Sequence, residues 1–159
     1  MKKLLLIRHA EAVGYTPNGD FHRPLSTKGE QQPAALAQNL QQSGFVPQHL
    51  VSSPALRTQT TVQIIANSLH LSTPEYNEAI YEASEETLLQ VVNHFNPQLD
   101  FVGLIGHNPG ISYLLYNLTG EIRDIPPCTA VVINFEVDDW ESISPNTGTL
   151  IYYNSPDSF

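Results

Sequence analysis

The chain has one cysteine, Cys128. An internal disulfide is therefore excluded, and so is a metal site built on cysteine thiolates. Cys128 follows Pro126 and Pro127 and leads into an apolar stretch, which reads as a small buried residue rather than a catalytic thiol. Basic residues are also scarce. The seven are Lys2, Lys3, Arg8, Arg23, Lys28, Arg57 and Arg123, against 16 acidic residues, for a net charge of −9. Such a surface repels nucleic acid and anionic membranes, so neither is an expected partner. The apolar run behind Lys2 and Lys3, Leu4 to Ile7, is too short for a signal-peptide core or a membrane span. With no other export signal, the cytoplasm is the expected compartment.

What is present fits a folded α/β protein. With 41% apolar and 14% charged residues in a chain of 159, a single domain over residues 1–159 is expected. A domain of this size buries roughly two thirds of its unfolded surface and needs no staples. No repeat, low-complexity tract or linker divides it. Lys2 to Ile7 and Asp100 to Ile105 read as buried strands, His49 to Ser52 as a short strand and Thr73 to Asn77 as a short edge strand. Thr27 and Glu30 have capping-box spacing, which predicts a helix from there to about Gln42, stopped by Gly44. Pro33 conflicts with that helix and should bend it or delay its start.

Further helices are predicted from Pro54 to near His70, from Ser84 through Phe95, and from Pro109 to about Leu118 before Gly120. Thr129 to Val137 and Thr149 to Tyr153 should pair as an antiparallel hairpin. The order of elements predicts a mostly parallel, mixed sheet with helices on both faces.

In open α/β sheets, ligands bind beyond the carboxyl ends of the strands. Three segments place polar residues there: Arg8-His9-Ala10-Glu11, Ser52-Ser53-Pro54 followed by Arg57, and Gly106-His107. Two guanidiniums offer the rigid forks that a phosphoryl dianion accepts. Helices opening at Pro54 and Pro109 would aim N–H groups at the same point. A neutral imidazole is a good nucleophile towards phosphorus, and its second nitrogen should donate to a backbone carbonyl. His9 is thus the candidate nucleophile, and Arg8, Arg57 and His107 would stabilise charge on the equatorial oxygens. Water would then release inorganic phosphate. No metal or cofactor is required, because the arginines carry the electrostatic load.

Leu6-Ile7-Arg8-His9-Ala10-Glu11 resembles the Arg-His-Gly signature of the histidine phosphatase superfamily, with Ala10 in place of glycine. Ser52 to Thr60 is similar to its second arginine motif, and Gly106-His107-Asn108-Pro109-Gly110 to its second histidine motif. Arg23-Pro24-Leu25-Ser26 with Gly29 resembles the segment after its first loop. The short length, the Arg-His-Ala variant and the Trp140 to Leu150 segment resemble the SixA-type phosphohistidine phosphatase branch. The resemblance implies a three-layer α/β/α sandwich like that of phosphoglycerate mutases, with His9 as nucleophile and Arg8, Arg57 and His107 as the phosphate pocket. It also implies phosphohistidine, carried on a protein, as substrate.

Phosphomonoesterase members of the family use a carboxylic acid to protonate the leaving alkoxide. The branch resembled here has no clear counterpart. The candidates are Glu82, Glu78 and Glu11. Glu82, in Tyr81-Glu82-Ala83-Ser84, reads more readily as a solvated loop residue. If it acts as the acid, small phosphorylated molecules and phosphoproteins become substrates. Arg23 could touch the phosphoryl group or form a surface pair with Asp20. Ser53 could donate to phosphate or only end its strand. Asn108 reads as a turn residue. A metal enzyme using His9, His107 and Glu11 leaves Arg8 and Arg57 unexplained. A phosphate-binding module without turnover leaves the complete catalytic set unexplained.

Overall fold

A computed structural model describes residues 1–156. The alternation of apolar side chains along the first strand explains the layers. In β1 (Lys2–Arg8), Leu4 and Leu6 face one core and Leu5 and Ile7 the other, because successive side chains leave a strand on opposite sides. The first core takes Leu88, Val91 and Val92 of α3 (Glu85–Asn93) and Ile111, Leu114, Leu115 and Leu118 of α4 (Gly110–Thr119). The second takes Leu36, Ala37 and Leu40 of α1 (Thr27–Ser43) and Val62, Ile65 and Ala66 of α2 (Leu56–Ser68). Helices thus cover both faces, and the architecture is a three-layer α/β/α sandwich.

The remaining strands are β2 (His49–Ser52), β3 (Glu75–Tyr76), β4 (Phe101–Gly106), β5 (Ala130–Phe135) and β6 (Gly148–Asn154). The sheet order is β3-β2-β4-β1-β5-β6. The first four strands are parallel, and β5 runs antiparallel to both β1 and β6. The register brings the ends of three strands level: Arg8 pairs with Gly106, and Ser52 with Ile105. At the opposite end, Lys2 is buried, and its ammonium donates to the carbonyls of Pro97 and Leu99 and to Asp100 Oδ1. Among the described residues, no helix is long and apolar enough to cross a membrane.

Several element ends differ from expectation. Helix α1 is capped by Ser26, whose Oγ accepts from Gly29 N at 3.0 Å, and not by Thr27. The cap needs a side chain three residues before a free N–H, and Ser26 meets that demand with Gly29 in the third helical position. Helix α1 also runs through Pro33. Proline inside a helix costs ~3 kcal/mol, and burial of Pro33, Leu36, Ala37 and Leu40 on that face opposes the cost. Helix α2 begins at Leu56, not Pro54, because Ala55 remains extended (φ −55°, ψ 146°). Helix α4 begins at Gly110, one residue after Pro109. Helix α3 ends at Asn93, and Phe95 packs beyond it against Trp140.

Candidate active site

The level strand ends carry the two histidines. The backbone N–H of His9 donates to Gly106 O at 3.1 Å, and that of Ser53 donates to Ile105 O at 3.1 Å. His9 and His107 consequently face one another with ring centroids 5.3 Å apart and planes tilted by 54°. Both rings are buried.

His9 Nδ1 lies 2.7 Å from the carbonyl of Ala10. A carbonyl can only accept, so Nδ1 carries the proton and Nε2 keeps its lone pair. Burial first, and then the nearby guanidiniums of Arg57, Arg8 and Arg23, lower the His9 pKa to about 4 against the opposing pull of the Ala10 carbonyl. The ring is therefore neutral at pH 7, the form a nucleophile needs. His107 is lowered to about 3, first by burial, then by His9 and Arg57.

The loop after β1 is fixed by side chains from two helices. Ala10 N–H donates to Thr61 Oγ1 at 3.0 Å, and Thr61 Oγ1 donates to the Arg57 carbonyl at 2.7 Å. Thr61 thereby links the His9 loop to the turn of α2 that bears Arg57. Glu11 N–H donates to Gln32 Oε1 at 3.0 Å, and Glu11 Oε1 accepts from Ser26 Oγ at 2.8 Å. Glu11 is thus engaged at the start of α1.

Arg57 is buried, and both its terminal nitrogens meet one residue: Nη1 donates to Asp20 O at 2.7 Å and Nη2 to Asp20 Oδ2 at 3.1 Å. Asp20 also accepts from Arg23 Nε at 3.0 Å and from the Tyr81 hydroxyl at 2.6 Å. These donors, Tyr81 foremost, hold the Asp20 carboxyl well below the usual range, and the same bond pushes Tyr81 up to about 12. Arg23 thus meets Asp20 as the sequence suggested, and its Nη1 adds a bond to Val13 O at 2.7 Å. Arg8 Nη1 donates to Ile125 O at 3.0 Å, a carbonyl shared with Asn108 Nδ2 at 3.1 Å. Among the described residues, the Nε atoms of Arg8 and Arg57 and Nδ1 of His107 are buried without a hydrogen-bond partner.

Ser53 contacts His107: its Oγ is 2.8 Å from Nε2 and accepts from Ala55 N at 3.3 Å. Asn108 does more than turn the chain. Its Oδ1 accepts from Ser112 N at 3.2 Å at the start of α4. Glu82 is exposed and adopts a left-handed backbone, φ 54°. It lines a cleft of about 550 Å³ with Asp20, Arg23, Arg57, His107 and Tyr113. Glu78 is exposed at the start of a short 3-10 turn, Glu78–Ile80. A larger cavity, about 660 Å³, lies among Gln48, Glu75, His94 and neighbours and shares no residue with this cleft. Among the described residues, no three His, Cys, Asp or Glu side chains gather as a metal site would require.

Sequence reasoning missed the contact of Asp20 with Arg57, the roles of Tyr81 and Thr61, and the tie of Ser53 to His107. The spacing of Asp20 and Arg23 gave a local signal. Arg57 lies 37 residues from Asp20, and only the fold brings them together.

An uncharacterized chloroplastic protein of Arabidopsis thaliana is 27% identical over 151 residues, covering 88% of this chain and 69% of the plant protein. The fold is similar to that of a candidate phosphohistidine phosphatase SixA from Agrobacterium tumefaciens, with a TM-score of 0.84, 24% identity and 98% of each chain covered. It is similar also to the protein histidine phosphatase SixA complexed with tungstate, with a TM-score of 0.80, 23% identity, and 98% of this chain and 97% of that one covered. The model of the histidine phosphatase superfamily (branch 1) matches residues 4–88, which include the strand-end Arg8-His9 pair and Arg57. With more than half of its length matched, the chain belongs to the histidine phosphatase superfamily, branch 1.

Proposed function

We propose that the protein hydrolyses phosphohistidine borne on a protein, through a phospho-His9 intermediate and without a metal. Nε2 of His9 attacks phosphorus in line. The P–N bond to the substrate imidazole breaks, its electron pair leaves with that ring, and a proton from solvent on the ring's other nitrogen lets it depart as neutral imidazole. Arg8, Arg57 and His107 bind the equatorial oxygens, where charge accumulates. Water then attacks the phosphorus of phospho-His9, the P–Nε2 bond breaks, and inorganic phosphate departs with His9 restored.

The observation that carries this reading is the state of Asp20. It is the carboxyl group bonded into the cluster, and Tyr81, Arg23 and Arg57 keep it ionised. An ionised carboxylate cannot protonate an alkoxide, so the site favours a leaving group that needs little help. Imidazole leaving from a labile P–N bond is such a group. Tungstate, bound by a protein histidine phosphatase of similar fold, is a tetrahedral oxyanion like the phosphoryl group. Exposed Tyr113 at the cleft and exposed Tyr15 beside Asp20 and Arg23 offer surface to a protein substrate.

A second reading rests on Glu82, which lines the cleft with Arg57 and His107. Acting as general acid, it would open the site to phosphate monoesters of small molecules or phosphoproteins. Rates on a phosphohistidine peptide, an aryl phosphate and an alkyl phosphate decide between the two. The phosphohistidine reading predicts strong preference for the P–N substrate and near-native turnover of it by Glu82→Gln. Efficient alkyl phosphate turnover that is lost in Glu82→Gln would replace it with the monoesterase reading.

A further inference from the structure

Asp20 sits where an anionic substrate would be expected to find its arginine unoccupied. Its carboxylate and its own carbonyl take both terminal nitrogens of Arg57, and its other oxygen takes Nε of Arg23. Arg57 is buried, whereas the Asp20 side chain is 48% exposed. Among the described residues, the Arg57 guanidinium hydrogen-bonds to Asp20 alone, and the carboxylate approaches it from the solvent side. Tyr81 donates to the same Oδ2 and packs edge-on against His107, with centroids 5.5 Å apart, which holds the carboxylate beside the imidazoles.

Count the fixed charges at the centre. Arg8, Arg57 and Arg23 bring three positive charges and Asp20 one negative, while His9 and His107 are neutral at pH 7. Of these four charged side chains, two positive charges remain to face a phosphoryl dianion, and Asp124 near Arg8 and Glu82 at the cleft lower the balance further. An uncompensated set of three guanidiniums would hold the dianion more tightly, but it would hold inorganic phosphate, the product, just as tightly. Binding that is uniform along the reaction does not speed turnover and slows release.

We infer that Asp20 sets the affinity of the pocket for phosphate, by keeping a fixed negative charge on Arg57 and so promoting departure of the product. Asp20 is a positioning residue in this scheme: it acts on phosphate through Arg57 and Arg23 and forms no bond to phosphorus. The inference rests on the phosphate-pocket reading given above.

Calorimetric titration with inorganic phosphate at pH 7.5 tests it without any assay of turnover. Asp20→Asn keeps the shape and removes the charge, and Asp20→Ala removes both. Each should bind phosphate at least fivefold more tightly than the native protein. Tyr81→Phe loosens the same loop but keeps the carboxylate, and it should not tighten binding. Phosphate inhibition of turnover should follow the same order, with kcat reduced in Asp20→Asn more than kcat/KM. Equal or weaker phosphate binding by the Asp20 variants would overturn the inference, and so would equal tightening in Tyr81→Phe. Arg57→Ala separates this from failure of the pocket itself. If phosphate binding to the native protein survives that substitution, the pocket reading falls; if it is lost while Asp20→Asn binds like the native protein, only the role of Asp20 falls.

Discussion

The Ser53 hydroxyl stands 2.8 Å from Nε2 of His107, on the residue that follows β2, while His107 follows β4. The same oxygen accepts the Ala55 N–H, so its own hydrogen is available to the imidazole. When the hydroxyl donates to Nε2, the His107 proton sits on Nδ1, which among the described residues is buried without a partner. In the proposed reaction that tautomer makes His107 a donor. Ser53→Ala leaves Nε2 unpaired and frees the ring to change tautomer and orientation. The expected outcome is a fall in kcat/KM of roughly tenfold, about 1.4 kcal/mol, together with a stability loss of about 1–3 kcal/mol from the unpaired buried nitrogen. Native kinetics in this variant would remove Ser53 from the account.

The buried histidines link stability to pH. His9 and His107 are lowered to about 4 and about 3, against 6.5 when unfolded. Between about pH 6.5 and 4 the unfolded chain binds protons that the folded chain refuses. Stability therefore rises with pH through this window and is lost as acid is added, by up to ~1.4 kcal/mol per pH unit for each ring. Asp20 has the depressed pKa of a paired carboxylate, so its contribution disappears only at lower pH, below the ordinary carboxylate value. Urea midpoints should be level above pH 7 and decline from 6.5 to 4, with a shallower decline in His107→Asn. Midpoints independent of pH across that window would show that the rings are not buried as described.

Gly29 is required by a close approach rather than by its backbone angles. A Cβ at this position would overlap the backbone carbonyl of Glu11. That carbonyl accepts from Ser26 N at 2.9 Å, and its residue follows Ala10 in the loop that orients His9. Gly29→Ala should push α1 away from the loop, destabilise the protein by about 1–3 kcal/mol and lower activity with it. Thermal denaturation measures the first effect. A stable, fully active Gly29→Ala protein would mean that the loop tolerates displacement.

How much of this was legible in the sequence depended on the range of the interaction. The strands were legible because Leu4 to Ile7 and Phe101 to Ile105 are continuous apolar runs, the signature of strands covered on both faces. Gly44 and Gly120 marked helix ends because only the left-handed backbone they adopt, φ 79° and φ 78°, closes those helices. Local competition blurred other boundaries. Ser26 and Thr27 both carry a capping hydroxyl, and Pro54 suits a helix start that Ala55 postpones. Of the candidate site, His9, His107, Arg8 and Arg57 were legible because each lies at or just beyond the carboxyl end of a predicted strand. Asp20, Tyr81 and Thr61 were not, since their partners are set by how a loop folds over the sheet edge, and no spacing encodes that.

The central claim is transfer of the phosphoryl group to Nε2 of His9. Mixing excess enzyme with a phosphohistidine peptide, quenching in alkali within one turnover and mapping the phosphate by mass spectrometry tests it directly. The account predicts acid-labile phosphate on His9, formed before free phosphate appears and absent from His9→Ala, which should not turn over. Release of inorganic phosphate with no label on His9, or near-native turnover by His9→Ala, would contradict it.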